Sequence, residues 1–167
     1  MASAERELEA AASVLAGRAL LGRASAALAS DEIVPLVLKG VLISALTEGS
    51  GIAPRPMLDV DVLVRSFERE RAERILTAAG LAVVARTLTA TTLRDRELGL
   101  DLDLHSGLVE PELFRIDADA IVDRSSEDRA LFGFLVRVPD RKDLYAHLVA
   151  HFARGRSNAN DRRRLRD

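Results

Sequence analysis

Apolar residues in the N-terminal segment recur at helical spacing: Leu8, Ala11, Ala12, Leu15 and Ala19 follow the i, i+3, i+4, i+7 steps that line one face. The spacing predicts a helix over residues 4–29, bent or interrupted at Gly17 or Gly22 and closed by Ser30 and Asp31. The pattern then becomes a continuous apolar run, Ile33 to Leu38, whose length and β-branched content predict a buried strand. Pro35 places that strand at a sheet edge or shortens it. Lys39-Gly40 ends the run, Val41 to Thr47 fits a short helix, and Gly49, Ser50, Gly51, Pro54 and Pro56 mark a loop.

Strict alternation follows. From Leu58 to Val64 a strand is predicted, with Asp59 and Asp61 on one face and Leu58, Val60 and Val62 on the other. Ser66 suits the N-cap of a helix from Phe67 to Ala79, with Ala72, Ile75, Leu76 and Ala79 as its buried stripe and Gly80 as its stop. Residues 81–94 read as one or two strands, and Leu98 to His105 alternates again, with Asp101, Asp103 and His105 sharing a face. Pro111 to Val122 is predicted helical, Phe134 to Val138 a strand, and Asp140 the cap of a helix to about Ala153. The order predicts an α/β (α+β) fold: a small mixed sheet flanked by helices.

Composition narrows the function classes. The chain has 167 residues, 48% of them apolar and 30% charged, which suits one folded domain rather than a disordered chain. We divide it into an N-terminal helical segment (1–30), a central domain (31–153) and a basic C-terminal tail (154–167). A net charge of -2 excludes a domain-wide basic field for nucleic acid. Cysteine is absent, which removes disulfides and thiolate-held zinc, and no signal peptide or membrane-length apolar run is found. A cytoplasmic protein without a membrane partner is expected. Lysine occurs only at Lys39 and Lys142 against an arginine- and alanine-rich background, so each is a less accidental choice.

Asp59 and Asp61, as alternate residues of one strand, can grip a divalent cation, most suitably magnesium. A solvated strand face would show the same alternation. Asp101, Asp103 and His105 supply further acid on a later strand, and three converging carboxylates repel one another unless a cation neutralises them. Lys39-Gly40 sits between a strand and a helix, where close backbone approach, open N–H groups and an ammonium can hold phosphate. The Walker A pattern is absent.

The runs Val37-Leu38-Lys39-Gly40-Val41-Leu42, Arg55-Pro56-Met57-Leu58-Asp59-Val60-Asp61-Val62-Leu63-Val64 and Leu102-Asp103-Leu104-His105 resemble the uncharacterised nucleotidyltransferase family of bacteria, within the polymerase-beta-like superfamily. Their order and spacing are similar over residues 33 to about 152. The resemblance implies a phosphate-binding turn at Lys39 and Gly40, a metal-binding pair at Asp59 and Asp61, and a third acid at Asp103. Asp101 and His105 would stand behind these ligands, and Arg55 would add positive charge near the nucleotide. The implied enzyme is a magnesium-dependent nucleotidyltransferase, with two ions in the active complex. It would move a nucleoside monophosphate from a triphosphate such as ATP to an acceptor: a small molecule, a protein or an RNA such as tRNA. The superfamily's usual turn is Gly-Gly or Gly-Ser, and the departure to Lys-Gly motivates the alternative of a catalytically silent module that binds a nucleotide or a partner.

Three features are read as structural. His147 and His151 stand four apart on a predicted helix but lack the glutamate of the zinc-protease signature, so helix packing or surface exposure is expected. The arginines from Arg154 to Arg166 read as a solvated helix face rather than an RNA platform, since no aromatic residue beyond Phe152 interleaves with them. The chain stops in this charged, helix-like run, as a fragment lacking the family's C-terminal helices would.

Overall fold

A computed structural model describes residues 2–52, 55–108 and 116–164, with side chains described over 5–52, 55–108 and 116–152. The first helix, α1 (Ala2–Leu28), is unbroken. Its packed face is not the expected one: Ala10, Val14, Leu21, Ala24 and Leu28 are buried, while Leu8 and Leu15 are 72% and 66% exposed. Alanine on most faces leaves the helical phase weakly defined, and the largest side chains near the sheet decide it. Gly17 serves packing rather than a bend, because a Cβ there would come within 2.3 Å of Met57 Sδ.

The next strand, β1 (Leu36–Val37), is short but lies inside the sheet, between β2 (Asp59–Leu63) and β7 (Val136–Val138). Pro35 therefore shortens the strand and does not put it at an edge. The chain turns from β1 into α2 (Lys39–Leu46), crosses the loop and enters β2. There Val60 and Val62 are fully buried, whereas Leu58, expected to point inward, precedes the strand and is 81% exposed.

Ser66 does not act as the expected cap. Its N–H and hydroxyl donate to Asp119 at 2.8 and 2.6 Å, and a short 3-10 turn precedes α3 (Arg69–Ala78). Ala72 and Leu76 of α3 are buried, Ile75 packs at the core margin, and Ala79 is exposed. Gly80 then takes φ 100°, the left-handed stop that glycine makes without strain. Residues 81–94 form two strands, β3 (Ala82–Arg86) and β4 (Ala90–Asp95), followed by β5 (Leu100–His105).

The described part of the next helix, α4 (Ala118–Arg124), starts where Asp117 accepts the Ala120 N–H at 3.0 Å. Residues 111–115 of the expected helix lie outside the described residues. A strand not expected from sequence, β6 (Ser126–Asp128), pairs antiparallel with β7. Its three polar residues carry no alternation to read. The last helix, α5 (Arg141–Arg164), begins with Asp140 accepting the Lys142 N–H at 2.8 Å. Its backbone carries the basic tail to Arg164, but those arginine side chains lie outside the described set. Among the described residues no helix is long and apolar enough to cross a membrane.

These strands make one mixed sheet in the order β3-β4-β5-β2-β1-β7-β6, with β2–β5 and β1–β7 parallel and the other pairs antiparallel. The larger core packs Leu20, Leu21 and Leu28 of α1 and Leu76 of α3 against Val60, Val62, Leu102 and Leu104. On the opposite face, Leu36, Leu38 and Leu63 meet Ala118, Ile121 and Val122 of α4. Alternation puts Asp59, Asp61, Asp101, Asp103 and His105 on this second face.

Candidate active site

The two central parallel strands bring the acids together. Their register pairs Asp59 with Asp101, Asp61 with Asp103 and Leu63 with His105. Strand alternation aims the carboxylates to one side, and the apolar neighbours on the other side hold the strands in that phase. Asp61 is only 3% exposed, and its Oδ1 takes a hydrogen bond from Lys39 Nζ at 2.7 Å. His105 Nε2 lies 3.0 Å from the same oxygen, where an ionised carboxylate can only accept, so that nitrogen carries the proton. Burial pushes the Asp61 carboxyl up. The His105 hydrogen bond and the charge and hydrogen bond of Lys39 outweigh burial, and hold it at about 2.

Its neighbour Asp59 responds the other way. Burial and the charge of Asp61 raise its carboxyl above the ordinary value, against the lowering effect of Lys39, and Asp103 and Asp101 add to the rise. The two carboxyls of one strand are thus split by environment, the sign of a crowded acidic site that an added cation would relieve. Single ligand atoms of Asp61, Asp103 and His105 all lie within 4.8 Å of one another. That mixed oxygen and imidazole set fits a divalent cation, with Asp59 as the neighbouring carboxylate on the same face.

Asp103 and Asp101 differ in their partners. Asp103 accepts one hydrogen bond from Thr92 at 2.6 Å, which orients it without neutralising it. Asp101 is held in a two-pronged ion pair by Arg94, across the β4–β5 ladder. An arginine fork on both oxygens leaves a carboxylate little freedom to bind anything else.

Lys39 opens α2 in a left-handed conformation, φ 34°, that an L-residue adopts at a cost of about 1 kcal/mol or more. The superfamily resemblance has glycine in this turn, and the backbone here is one that glycine takes freely. Leu38 is extended and gives the helix no side-chain cap, so the first N–H groups of α2 are open beside the lysine. At Gly40 an added Cβ would meet only Met57, at 3.8 Å, so nothing in the chain itself demands glycine there. Arg55 is exposed on the segment leading into β2, and it remains a candidate nucleotide contact by its place in the chain.

His147 packs, as one of the two expected alternatives has it: it is 4% exposed, and neither ring nitrogen is hydrogen-bonded, which the sequence does not predict. Burial lowers its pKa to about 4, helped by the charge of Lys39 and opposed by that of Asp61, with His105 and His151 adding smaller lowering effects. The imidazole is therefore buried, neutral and adjacent to the acidic cluster. A signal was present: His147 falls on the helical stripe Leu144, His147, Ala150, where an apolar residue is the usual occupant. His151, whose ring centroid lies 6.3 Å from that of His147, is exposed.

Comparison with known proteins gives a family and a fold. Over residues 3–167 the chain matches a family model described as "Uncharacterised nucleotidyltransferase". A Thermotoga maritima protein provisionally described as a nucleotidyltransferase has a similar fold, with TM-score 0.56 and 15% identity over 86% of this chain and 88% of its own. ANT(2″)-Ia, solved with adenylyl-2″-tobramycin, aligns with TM-score 0.52 and 18% identity over 74% of this chain and 68% of its own. No curated protein sequence matches.

Proposed function

Since the chain belongs to the uncharacterised nucleotidyltransferase family, we propose that it transfers a nucleoside monophosphate from a nucleoside triphosphate to an acceptor hydroxyl or amine. The observation that carries this reading is the register of Asp61 against Asp103 on adjacent parallel strands, beside the lysine that opens α2. Asp59 and Asp61 would hold the magnesium ions, with Asp103 sharing one of them. Magnesium there would screen the triphosphate charge and polarise the phosphoryl oxygens.

The chain's own groups divide the remaining work. Lys39 and the open N–H groups of α2 bind the β- and γ-phosphates, with Arg55 adding positive charge from the loop. Asp103, oriented by Thr92, takes the proton of the acceptor as its oxygen or nitrogen attacks the α-phosphorus. The new bond forms to that phosphorus, the bond to the bridging oxygen breaks, and pyrophosphate leaves with the electron pair. Lys39 leaves Asp61 for the phosphates when substrate enters, which relieves Asp61 for the cation.

One observation favours a second reading. Lys39 and His105 both occupy Oδ1 of Asp61, so this carboxylate is already satisfied from within, as in a silent module that binds a nucleotide or partner without turnover. Incubating the protein with triphosphates labelled at the α-phosphate, magnesium and a cell extract separates the two. Label transferred to a discrete acceptor with pyrophosphate release supports the enzyme. Nucleotide binding without transfer across a broad acceptor panel supports the silent module.

A further inference from the structure

Of the five polar side chains that β2 and β5 turn to the acid face, His105 alone is not an acid. Holding Asp61 does not call for it. Lys39 already gives Asp61 Oδ1 a charged donor at 2.7 Å, so a second donor on the same oxygen, His105 Nε2 at 3.0 Å, adds little to that carboxylate's stability. Leu63, the register partner of His105 on β2, offers the ring no polar side chain. What an imidazole brings that an ammonium cannot is a nitrogen lone pair, the property that makes histidine a metal ligand.

The spacing of the cluster suits that use. An octahedral cation that holds nitrogen and oxygen at about 2.1 Å sets neighbouring ligand atoms about 3 Å apart. Asp61 Oδ1 and His105 Nε2 already stand at that separation, 3.0 Å, joined by a single proton. Asp103 faces Asp61 across the ladder, and one ligand atom from each of Asp61, Asp103 and His105 lies within 4.8 Å of the others. The remaining lone pairs are open. Among the described residues, Asp61 Oδ2, Asp103 Oδ2 and His105 Nδ1 make no hydrogen bond, and none of them is sealed from water. Carboxylate oxygens can therefore join the ion from both strands. The Nε2 proton can pass through water to Nδ1, which keeps the ring neutral and turns the Nε2 lone pair toward the ion.

We propose that His105 does not stand behind the acids but is itself a ligand of one cation, through Nε2, and that its nitrogen makes the site select a divalent transition ion over magnesium. Mg2+ keeps to oxygen ligands and gives up its water reluctantly, whereas a first-row transition ion accepts imidazole beside carboxylates. Mn2+ does so in the octahedral geometry that the 3.0 Å pair fits. This inference rests on the nucleotidyltransferase reading above and refines its choice of ion.

Electron spin-echo spectroscopy of bound Mn2+ tests it without any turnover, because a coordinated imidazole imprints a nitrogen modulation that water and carboxylate do not. The probes are Mn2+ alone and Mn2+ with inorganic tripolyphosphate, which carries no nitrogen of its own. The wild type is expected to show the modulation in at least one of these states. His105→Gln, which can still donate to Asp61 but has no ring nitrogen, should lose it. In calorimetric titrations the wild type should bind Mn2+ about a hundredfold tighter than Mg2+, and His105→Gln should lower that ratio about tenfold with Mg2+ affinity nearly unchanged. Bound Mn2+ without nitrogen modulation in the wild type overturns the inference, whether or not the variant folds, and leaves the transferase reading standing. A folded His105→Gln protein that keeps the modulation or the wild-type ion ratio overturns it equally. If the wild type takes up neither ion, with or without tripolyphosphate, the transferase reading itself falls, and this inference with it.

Discussion

Asp61 and Asp95 are both buried carboxylates on strands of one sheet, 3% and 2% exposed, and each has a cationic neighbour. Their partners differ in kind. Asp95 Oδ1 accepts the backbone N–H groups of Glu97 and Leu98 at 2.9 and 3.0 Å, with Arg23 2.8 Å from its other oxygen, so it builds the β4–β5 turn. Asp61 Oδ1 receives only side chains, Lys39 and His105. A buried acid tied to backbone is structural, and one held by side chains alone can exchange them for a ligand without breaking a backbone hydrogen bond.

The largest effect expected from this contrast is on turnover. Asp61→Asn should reduce nucleotide transfer at least about a thousandfold, in the range of losing a central electrostatic group. Asp95→Asn should destabilise the fold by about 2 kcal/mol, below the range for breaking a fully buried pair because Arg23 keeps access to water. Its activity well below the melting temperature should stay within a few fold of wild type. Equal loss of activity in both variants, measured as label transfer, would erase the distinction.

The same logic separates the two acids of β5. Asp103→Asn should lower transfer about a hundredfold or more while preserving triphosphate binding, whereas Asp101→Asn should leave most activity, because Arg94 already occupies that carboxylate. The reverse pattern would move the role to Asp101.

A smaller effect concerns the phosphate turn. Lys39→Gly keeps the left-handed backbone without strain and removes only the ammonium. Triphosphate affinity at low salt should drop about tenfold with magnesium affinity little changed, and equal triphosphate affinity would take Lys39 out of the site.

The smallest effect is on pH dependence in the metal-free protein. The folded state holds His147 at about 4 against 6.5 for the ordinary group, so the unfolded chain binds that proton first. Stability should therefore fall as pH drops from 6.5 toward 4. The Asp61 contribution is full above 3.8 and is lost only as pH falls toward about 2. In EDTA, His147→Leu should flatten the loss between pH 6.5 and 4 and leave the more acid one, and denaturant titrations at both ends of that range measure it. An unchanged slope would place the titrating group elsewhere.

How much of this was legible beforehand follows from where the signal resides. The acid face could be read because strand alternation has a period of two and Val60, Val62, Leu102 and Leu104 state it without ambiguity. The face of α1 could not, since alanine blurs the helical phase and burial was decided by a sheet not yet paired. Ser66 looked like a cap, but its partner Asp119 is far along the chain. β6 is polar and exists through its ladder with β7 alone. For His147 the sequence leaves packing and surface exposure both open, and burial in α5 decides for packing.

Thermal unfolding in millimolar magnesium with ATP, compared with EDTA, tests the central claim most directly, for wild type and for Asp61→Asn side by side. A cation and nucleotide bound only by the native acidic cluster should raise the wild-type Tm by about 5–10 °C at saturation. The Asp61→Asn protein should show little of that rise. A wild-type melting curve unmoved by magnesium or calcium, with or without the nucleotide, would contradict the account.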